Sequence, residues 1–225
     1  MDVKYCVTVK ADNIDSLRKK VNAALSKNPS LIEIQAEQLI RSNIDHLRRV
    51  LAHVLDKSII SLRSFNMKRE ANNRYLSYIS RLIEMQPAYI ELEHSYILSH
   101  LNLIDKSFEN NVLIIASHYD REKTPDSDIL GRLALKMLKH ADIIRIVTRA
   151  NSFEDNIKVL GVYDILHDER DRIIAYATGE IGVISRLDSV KLGAPFIYVS
   201  VNNNNKDEPG QLSIDEARRY FALFP

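Results

Sequence analysis

The chain has 225 residues, of which 45% are hydrophobic and 27% are charged. These values fit one ordinary globular domain and exclude a disordered or fibrous protein. Lys and Arg number 31 against 30 Asp and Glu, which gives a formal net charge of +1. The chain therefore lacks the excess of positive charge that attracts nucleic acid or an anionic membrane surface.

The first residues lead directly into an alternating apolar run, without the pattern of a signal peptide. No apolar stretch approaches the length that spans a membrane. The single cysteine, Cys6, lies in an apolar run and cannot form a disulfide within the chain. These features predict a cytoplasmic protein with neither a membrane nor a nucleic-acid partner.

The chain repeats a short apolar strand followed by an amphipathic helix. The predicted strands are residues 3–9, 31–36, 58–62, 88–92, 112–116, 141–147, 172–177 and 196–201. The predicted helices are residues 14–25, 38–55, 75–85, 95–105, 129–138, 156–166, 181–190 and 214–224, with Pro125 expected at the start of the fifth. Several strands are apolar almost throughout, which is typical of parallel strands covered on both faces.

Eight strand–helix units predict a single α/β domain over residues 1–225, a parallel eight-stranded (β/α)8 TIM barrel, with an open sheet as the alternative. In such a barrel the active site lies at the carboxyl ends of the strands. The polar residues there are Glu33, Gln35, Glu37, Arg63, Glu91, Glu93, Ser117, His118, Tyr119, Asp120, Arg145, Thr148, Arg149, Ser185, Arg186 and Gln211. Converging arginines with amides and hydroxyls suit a small anionic, hydroxylated ligand, since a guanidinium pairs with a carboxylate through two N–H groups.

Six segments resemble, in the correct order, motifs of the type I 3-dehydroquinate dehydratase family. Residues 31–37 (LIEIQAE) resemble E-x-R-x-D, 59–64 (IISLRS) resemble I-F-T-x-R-S/T, and 117–125 (SHYDREKTP) resemble S-Y-H-D-F-x-x-T-P. Residues 141–146 (ADIIRI) resemble A-D-I-V-K-I, 179–186 (GEIGVISR) resemble G-x-x-G-x-x-S-R, and 208–211 (EPGQ) resemble A-P-G-Q. Together the segments extend over nearly the whole chain.

The resemblance implies a lyase of aromatic amino-acid biosynthesis that converts 3-dehydroquinate to 3-dehydroshikimate without a cofactor or a metal. In that family a lysine forms an imine with the substrate ketone, a histidine moves protons, and polar side chains hold the carboxylate and hydroxyls. The positions that match the ligand-holding residues are Glu33, Gln35, Arg63, Arg186 and Gln211. Family members are commonly dimers, which leaves a homodimer open.

The catalytic positions differ from the family pattern. Arg145 occupies the place of the imine lysine, and a guanidinium stays protonated and cannot supply the free amine. Tyr119 occupies the place of the histidine, with His118 one residue earlier. Because adjacent strand residues face opposite sides, we expect the His118 imidazole to point away from the barrel mouth.

Further departures lie in the loops and in the second strand. Met67 replaces a glutamate, although a shift of the loop could bring Glu70 near that position. Gln35 replaces an arginine, and Asp207 or Glu208 stands where the family has a serine. The acidic substitution brings negative charge to a rim that should be neutral or basic.

Three hypotheses follow. The first is a divergent homologue that binds a cyclic hydroxy-carboxylate without imine catalysis. The second is an active dehydratase that uses another lysine (Lys10, Lys68, Lys123 or Lys206) or a route without an imine. The third is a barrel used as an interaction scaffold. The arginines also have structural alternatives: Arg145 could be a buried ion-pair partner of Glu33 or Glu91, and Arg63 and Arg186 could form similar pairs.

Overall fold

The described residues form one sheet of eight parallel strands with helices packed outside it. The computed structural model describes residues 2–39, 43–62 and 72–224. The strands are β1 (Tyr5–Lys10), β2 (Leu31–Gln35), β3 (Ser58–Leu62), β4 (Tyr89–Glu93), β5 (Leu113–Tyr119), β6 (Ile143–Arg149), β7 (Ile173–Thr178) and β8 (Ile197–Val199). Each overlaps the strand predicted from the sequence.

The strand order shows a sheet that curls into a barrel. It runs β7-β6-β5-β4-β3-β2-β1-β8, and every pair is parallel. β7 and β8 are the two ends of this order, yet Tyr176 from β7 and Tyr198 from β8 both contact Arg145 on β6. The ends of the sheet therefore converge on one guanidinium, and the predicted (β/α)8 barrel is confirmed.

The helices follow the strands in alternation. They are α1 (Ile14–Leu25), α2 (Ile44–Leu51), α3 (Asn72–Ile83), α4 (His94–Ser99), α5 (Asn102–Glu109), α6 (Ser127–Met137), α7 (Glu154–Ile165), α8 (Val183–Lys191) and α9 (Ile214–Leu223). Within the described ranges, no helix is long and apolar enough to cross a membrane.

Three helix predictions were wrong in detail. The single helix predicted over residues 95–105 is two helices, because His100 leaves the helical conformation at φ −143° and ψ 61°. The helix predicted over residues 38–55 is a 3₁₀ turn at Glu37–Leu39, then α2 and a second 3₁₀ turn at Leu55–Lys57, with residues 40–42 outside the described ranges. Pro125 precedes the helix start, because Asp126 is the extended N-cap of α6.

The hydrophobic core has one layer inside the barrel and one between the strands and the helices. Cys6, Ile32 and Ile34 have no exposed surface, and Leu17 on α1 and Leu47 on α2 are equally covered. Toward the carboxyl ends of the strands the barrel interior becomes polar, as Thr8, Glu33, Gln35, Glu91 and Arg145 are all buried there. Buried polar groups need partners, so this layer fixes where the site lies.

The last helix begins with a capping box, which generates a stability prediction. The Ser213 side chain accepts from the Glu216 N–H, and the Glu216 carboxylate accepts from the Ser213 N–H. We expect Ser213→Ala to lower the free energy of unfolding by about 1 kcal/mol in urea titrations, because an N-cap hydroxyl satisfies an otherwise unpaired donor. Ser26→Ala is the control, since Ser26 lies at the C-terminal end of α1, where its hydroxyl donates to the Ala23 carbonyl. Equal losses in the two variants would contradict the capping role.

Candidate functional site

The centre of the barrel mouth is the guanidinium of Arg145. Its side chain is 1% exposed, and Nη1 lies 3.3 Å from Glu33 Oε1 and 3.1 Å from Glu91 Oε2. Both carboxylates are also fully buried, on β2 and β4 respectively. Because these partners lie on strands across the sheet, the Arg145 side chain enters the barrel from β6. The ion-pair alternative for Arg145 is thus realised with both glutamates.

Tyrosines complete the surroundings of this guanidinium. The Tyr198 ring stacks against it, with 3.5 Å between Arg145 Cζ and the ring centroid. Arg145 Nη2 donates to the Tyr176 hydroxyl at 2.9 Å. The hydroxyls of Tyr119 and Tyr198 each donate to Glu91 at 3.0 Å. Glu91 therefore receives hydrogen bonds from two tyrosines in addition to the arginine.

The protonation of Arg145 follows from these neighbours. Burial alone would lower the pKa of the guanidinium, but Glu91 and the three tyrosines outweigh that effect and raise the pKa well above its ordinary value. Burial, followed by the charge of Glu91, raises the pKa of Tyr198 well above its ordinary value. The floor of the site, made by Arg145 and the side chains around it, therefore holds a permanent cation, and the phenols of Tyr176 and Tyr198 stay neutral at neutral pH.

A second set of contacts lies at the rim, where the loop between β8 and α9 crosses the mouth. Arg186 on α8 is 1% exposed, and its Nη2 pairs with Glu208 Oε1 at 2.7 Å. The Tyr176 hydroxyl donates to the same oxygen at 3.0 Å. Gln35 donates to Asp207 Oδ2 at 2.6 Å. Arg186 was considered as a partner of Glu33 or Glu91, but its carboxylate partner is Glu208 instead.

Gln211 and Thr8 link the rim to the floor. The Gln211 side-chain oxygen accepts from the Asp207 N–H at 2.6 Å, and its nitrogen lies 3.5 Å from the Thr8 hydroxyl. Thr8 in turn donates to Glu33 at 2.7 Å. The predicted residues Glu33, Gln35, Arg145, Arg186 and Gln211 therefore belong to one connected polar network.

Arg186 keeps unused donors. Its Nε and Nη1 are buried and have no hydrogen-bond partner among residues 2–39, 43–62 and 72–224. Burial lowers the pKa of Arg186, but Tyr176 and Glu208 raise it, so that it remains above the ordinary value and the side chain stays charged. A buried guanidinium with two free N–H groups has the hydrogen-bonding capacity to bind an oxyanion.

His118 lies on the other face of β5. Ser117 is in register with the inward Arg145, and Tyr119 bonds to Glu91 inside the barrel. Strand alternation therefore directs His118 outward, toward His94 at the start of α4. The pKa of His94 is lowered most by burial, next by His140 and then by His118. The structure places Tyr119, and not His118, beside Glu91 and Arg145 inside the barrel.

Several predicted positions have other roles or lie elsewhere. Arg63, Met67, Lys68 and Glu70 fall outside the described residues. The Ser185 hydroxyl donates to the Gly182 carbonyl and accepts from the Ala177 N–H, so it joins α8 to β7. Sequence analysis missed Thr8, Tyr176 and Tyr198; counting alternate positions from inward residues on each strand would have identified them.

Two of the cavities that border the acidic loop residues lie on either side of the loop at the mouth. One, of about 300 Å³, is lined by Thr8, Lys10, Lys20, Lys206 and Asp207 among others. The other, of about 210 Å³, lies on the β5–β7 side and includes Tyr119, Arg149, Asp207 and Glu208. Asp207 borders both, so the loop divides the mouth. Over the described part of the chain, no group of three or more His, Cys, Asp or Glu is arranged to hold a metal.

Comparisons with known proteins agree with the architecture and the motifs. The family model described as "Type I 3-dehydroquinase" matches residues 5–224. The chain is 29% identical over 206 residues to a 3-dehydroquinate dehydratase of Thermococcus onnurineus, covering 90% of this chain and 91% of that protein. The crystal structure of 3-dehydroquinate dehydratase from Geobacillus kaustophilus superimposes with a TM-score of 0.88 at 18% identity, covering 100% of this chain and 91% of that one. The enzyme from Aquifex aeolicus gives 0.76 at 23% identity, covering 99% of each chain.

The buried charge cluster predicts a large effect for removal of the cation. We expect Arg145→Met to lower the free energy of unfolding by about 3–5 kcal/mol, because Glu33 and Glu91 would remain buried without a counter-charge. Arg132→Met, at an exposed position on α6, is the control and should stay within about 0.5 kcal/mol of wild type. Adding Glu33→Gln and Glu91→Gln to Arg145→Met should restore part of the loss. A decrease below about 1 kcal/mol in the single variant would show that the cluster is not tightly coupled.

The outward histidines predict a pH dependence of stability. Burial lowers the pKa of both His94 and His118 below the ordinary value. As the pH falls, the histidines of the unfolded chain, with a pKa of about 6.5, bind protons before those of the folded chain. The free energy of unfolding is therefore highest above about pH 6.5 and decreases as the pH falls from there to the folded pKa. Urea titrations from pH 7.5 to 5.5 should show a flatter profile for His94→Gln/His118→Gln than for wild type. Parallel profiles would exclude this contribution.

Proposed function

Since the chain belongs to the type I 3-dehydroquinase family, we propose that it binds a cyclic hydroxy-carboxylate of the 3-dehydroquinate type at the barrel mouth without forming the family's imine. The proposal depends on a difference between the ligand-holding positions and the catalytic positions. The ligand-holding positions keep polar side chains, while the lysine and histidine positions hold Arg145 and Tyr119. A cytosolic setting, a link to aromatic amino-acid biosynthesis and a homodimer are parts of the same proposal.

The observation that carries the proposal is the state of Arg145. An imine forms only when a neutral amine attacks the ketone carbon, and a guanidinium does not provide one. The contacts with Glu33 and Glu91 hold this side chain as a buried cation. Arg145, at the position of the lysine, therefore neutralises the two carboxylates. It cannot form the imine that accepts electrons in the family's mechanism.

Binding is supported by the donors that remain. Arg186 offers two buried N–H groups without a described partner, and Gln35 and Gln211 bring amide groups to the same rim. Guanidinium and amide groups are the donors that recognise a carboxylate and adjacent hydroxyls. The adjoining cavities provide space for a small ring on both sides of the loop.

A second candidate function has one observation in its favour. Lys10 and Lys206 line the cavity that reaches Thr8, next to the floor of the site. A lysine at this place could take over imine formation if its amine were neutral and directed at the ketone. Lys206 Nζ lies 3.5 Å from Glu216 Oε2, and this contact directs its amine toward α9 and not toward the floor of the site. We therefore rank an active dehydratase with a substitute lysine second.

Borohydride trapping separates the two candidates. The protein is incubated with 3-dehydroquinate and sodium borohydride, and intact and peptide masses are measured. We expect no stable adduct, because reduction traps only an imine. A type I relative treated in parallel demonstrates that trapping works. A reduced adduct on Lys10, Lys206 or any other lysine would overturn the first proposal in favour of the second.

Calorimetric titration tests the binding itself. We expect 3-dehydroquinate to bind wild type, and Arg186→Lys to weaken it about tenfold or more, because an ammonium cannot reproduce the planar fork of the guanidinium. Arg132→Lys, remote from the mouth, should bind as wild type does. Thermal melts establish that both variants are folded. Equal affinities in the three proteins would contradict a ligand role for Arg186.

A further inference from the structure

The residues that the proposed function assigns to the ligand already hold a carboxylate pair from the chain itself. This acidic pair consists of Asp207 and Glu208 in the loop before α9. Gln35 donates to the Asp207 carboxylate at 2.6 Å, and Arg186 pairs with the Glu208 carboxylate at 2.7 Å. Gln211 accepts from the Asp207 backbone N–H at 2.6 Å. Side chains from β2 and α8, together with Gln211 of the same loop, thus hold two consecutive loop residues.

The chemistry of these contacts matches that of an external ligand. A glutamate side chain on Arg186 presents the same group as the carboxylate of a cyclic hydroxy acid. The hydrogen bond from Tyr176 to Glu208 Oε1 adds the kind of hydroxyl contact that a bound anion would receive. The acidic pair therefore occupies the place on Arg186 that the carboxylate of a ligand would take.

The acidic pair does not use all of the hydrogen-bond donors of Arg186. Arg186 Nη2 and the Tyr176 hydroxyl meet the same oxygen of Glu208, so the guanidinium holds that carboxylate through one nitrogen. Two other N–H groups of the same guanidinium have no partner among the described residues. A ligand carboxylate that paired with Arg186 through two N–H groups would satisfy more of these donors. The internal contact is thus of the kind that a ligand can replace.

The loop around the acidic pair is anchored at one end and exposed at the other. The Pro209 carbonyl accepts from the Gly179 N–H at 3.0 Å, and Gly210 has a φ of +78° in close contact with the Gly179 carbonyl. A side chain at position 210 would collide with that backbone, so this end of the loop is fixed. Residues 202–205 are exposed, and this end can move away from the mouth with little loss of packing.

We propose that Asp207 and Glu208 are a built-in competitor for the ligand site, which an incoming carboxylate must displace from Arg186 and Gln35. This inference rests on the proposed function for the identity of the ligand. Internal occupancy lowers the apparent affinity in proportion to the fraction of molecules whose site is open. The charge of the rim, and not only its shape, then sets how much ligand is needed to fill the site.

The first experiment measures the loop without any ligand. Amide hydrogen exchange over residues 202–210 is compared in wild type, Asp207→Asn/Glu208→Gln and the control Glu122→Gln, an exposed rim carboxylate in the loop after β5. We expect faster exchange in the double variant only, because its neutral amides lose the charge pairing with Arg186. Unchanged exchange would overturn the proposal, whatever the ligand is. Circular dichroism verifies that all three proteins are folded.

The second experiment measures 3-dehydroquinate binding by calorimetry in the same three proteins. We expect the double variant to bind about tenfold more tightly than wild type, and Glu122→Gln to bind as wild type does. Equal or weaker binding in the double variant would overturn the competition. If no protein binds 3-dehydroquinate, the proposed function fails, while the exchange data still decide whether the acidic pair holds the mouth closed.

Discussion

The site is organised by one constraint: a guanidinium without access to water must be surrounded by compensating charge. Arg145 meets this requirement with Glu33, Glu91 and three phenols, which come from strands on all sides of the barrel. Each partner must point inward at the same height, and each carboxylate needs donors of its own. The side chains at the carboxyl ends of the strands therefore form one cluster and cannot be considered independently.

This constraint separates the architecture of the family from its chemistry. A barrel mouth tuned for an amine nucleophile needs a low-charge pocket in which a lysine can lose its proton. Here the same position carries a permanent cation that is stabilised by two buried carboxylates. Under the proposed function, the floor of the pocket gives electrostatic support in place of covalent chemistry, while Arg186 and the amides of the rim can hold an oxyanion.

The sequence was sufficient for the fold and for much of the floor. Strand–helix alternation predicted all eight strands, because buried parallel strands differ so clearly in pattern from amphipathic helices. Strand alternation also predicted the outward facing of His118. The sequence did not decide whether Arg145 contacts a ligand or pairs with a buried carboxylate. That choice depends on distances across the barrel, which a local sequence pattern does not encode.

The rim was less accessible to prediction. The sequence showed that Asp207 and Glu208 bring acid to the mouth, but their partners depend on the path of a loop with no periodic pattern. Arg186 was thus considered with carboxylates of the strands, while its partner comes from the loop. The break of the helix at His100 was missed for a related reason: no glycine or proline marks it, and tertiary packing decides it.

The Tyr176 hydroxyl is where floor and rim meet, since it accepts from Arg145 and donates to Glu208. A phenol that serves both sides makes the effect of a substitution at position 145 depend on the residue at position 208, and the reverse. Lysine placed alone at position 145 would stand between two buried carboxylates that favour its protonated form. A neutral amine at position 145 would therefore require coordinated changes at the carboxylates and at the phenol that joins floor and rim.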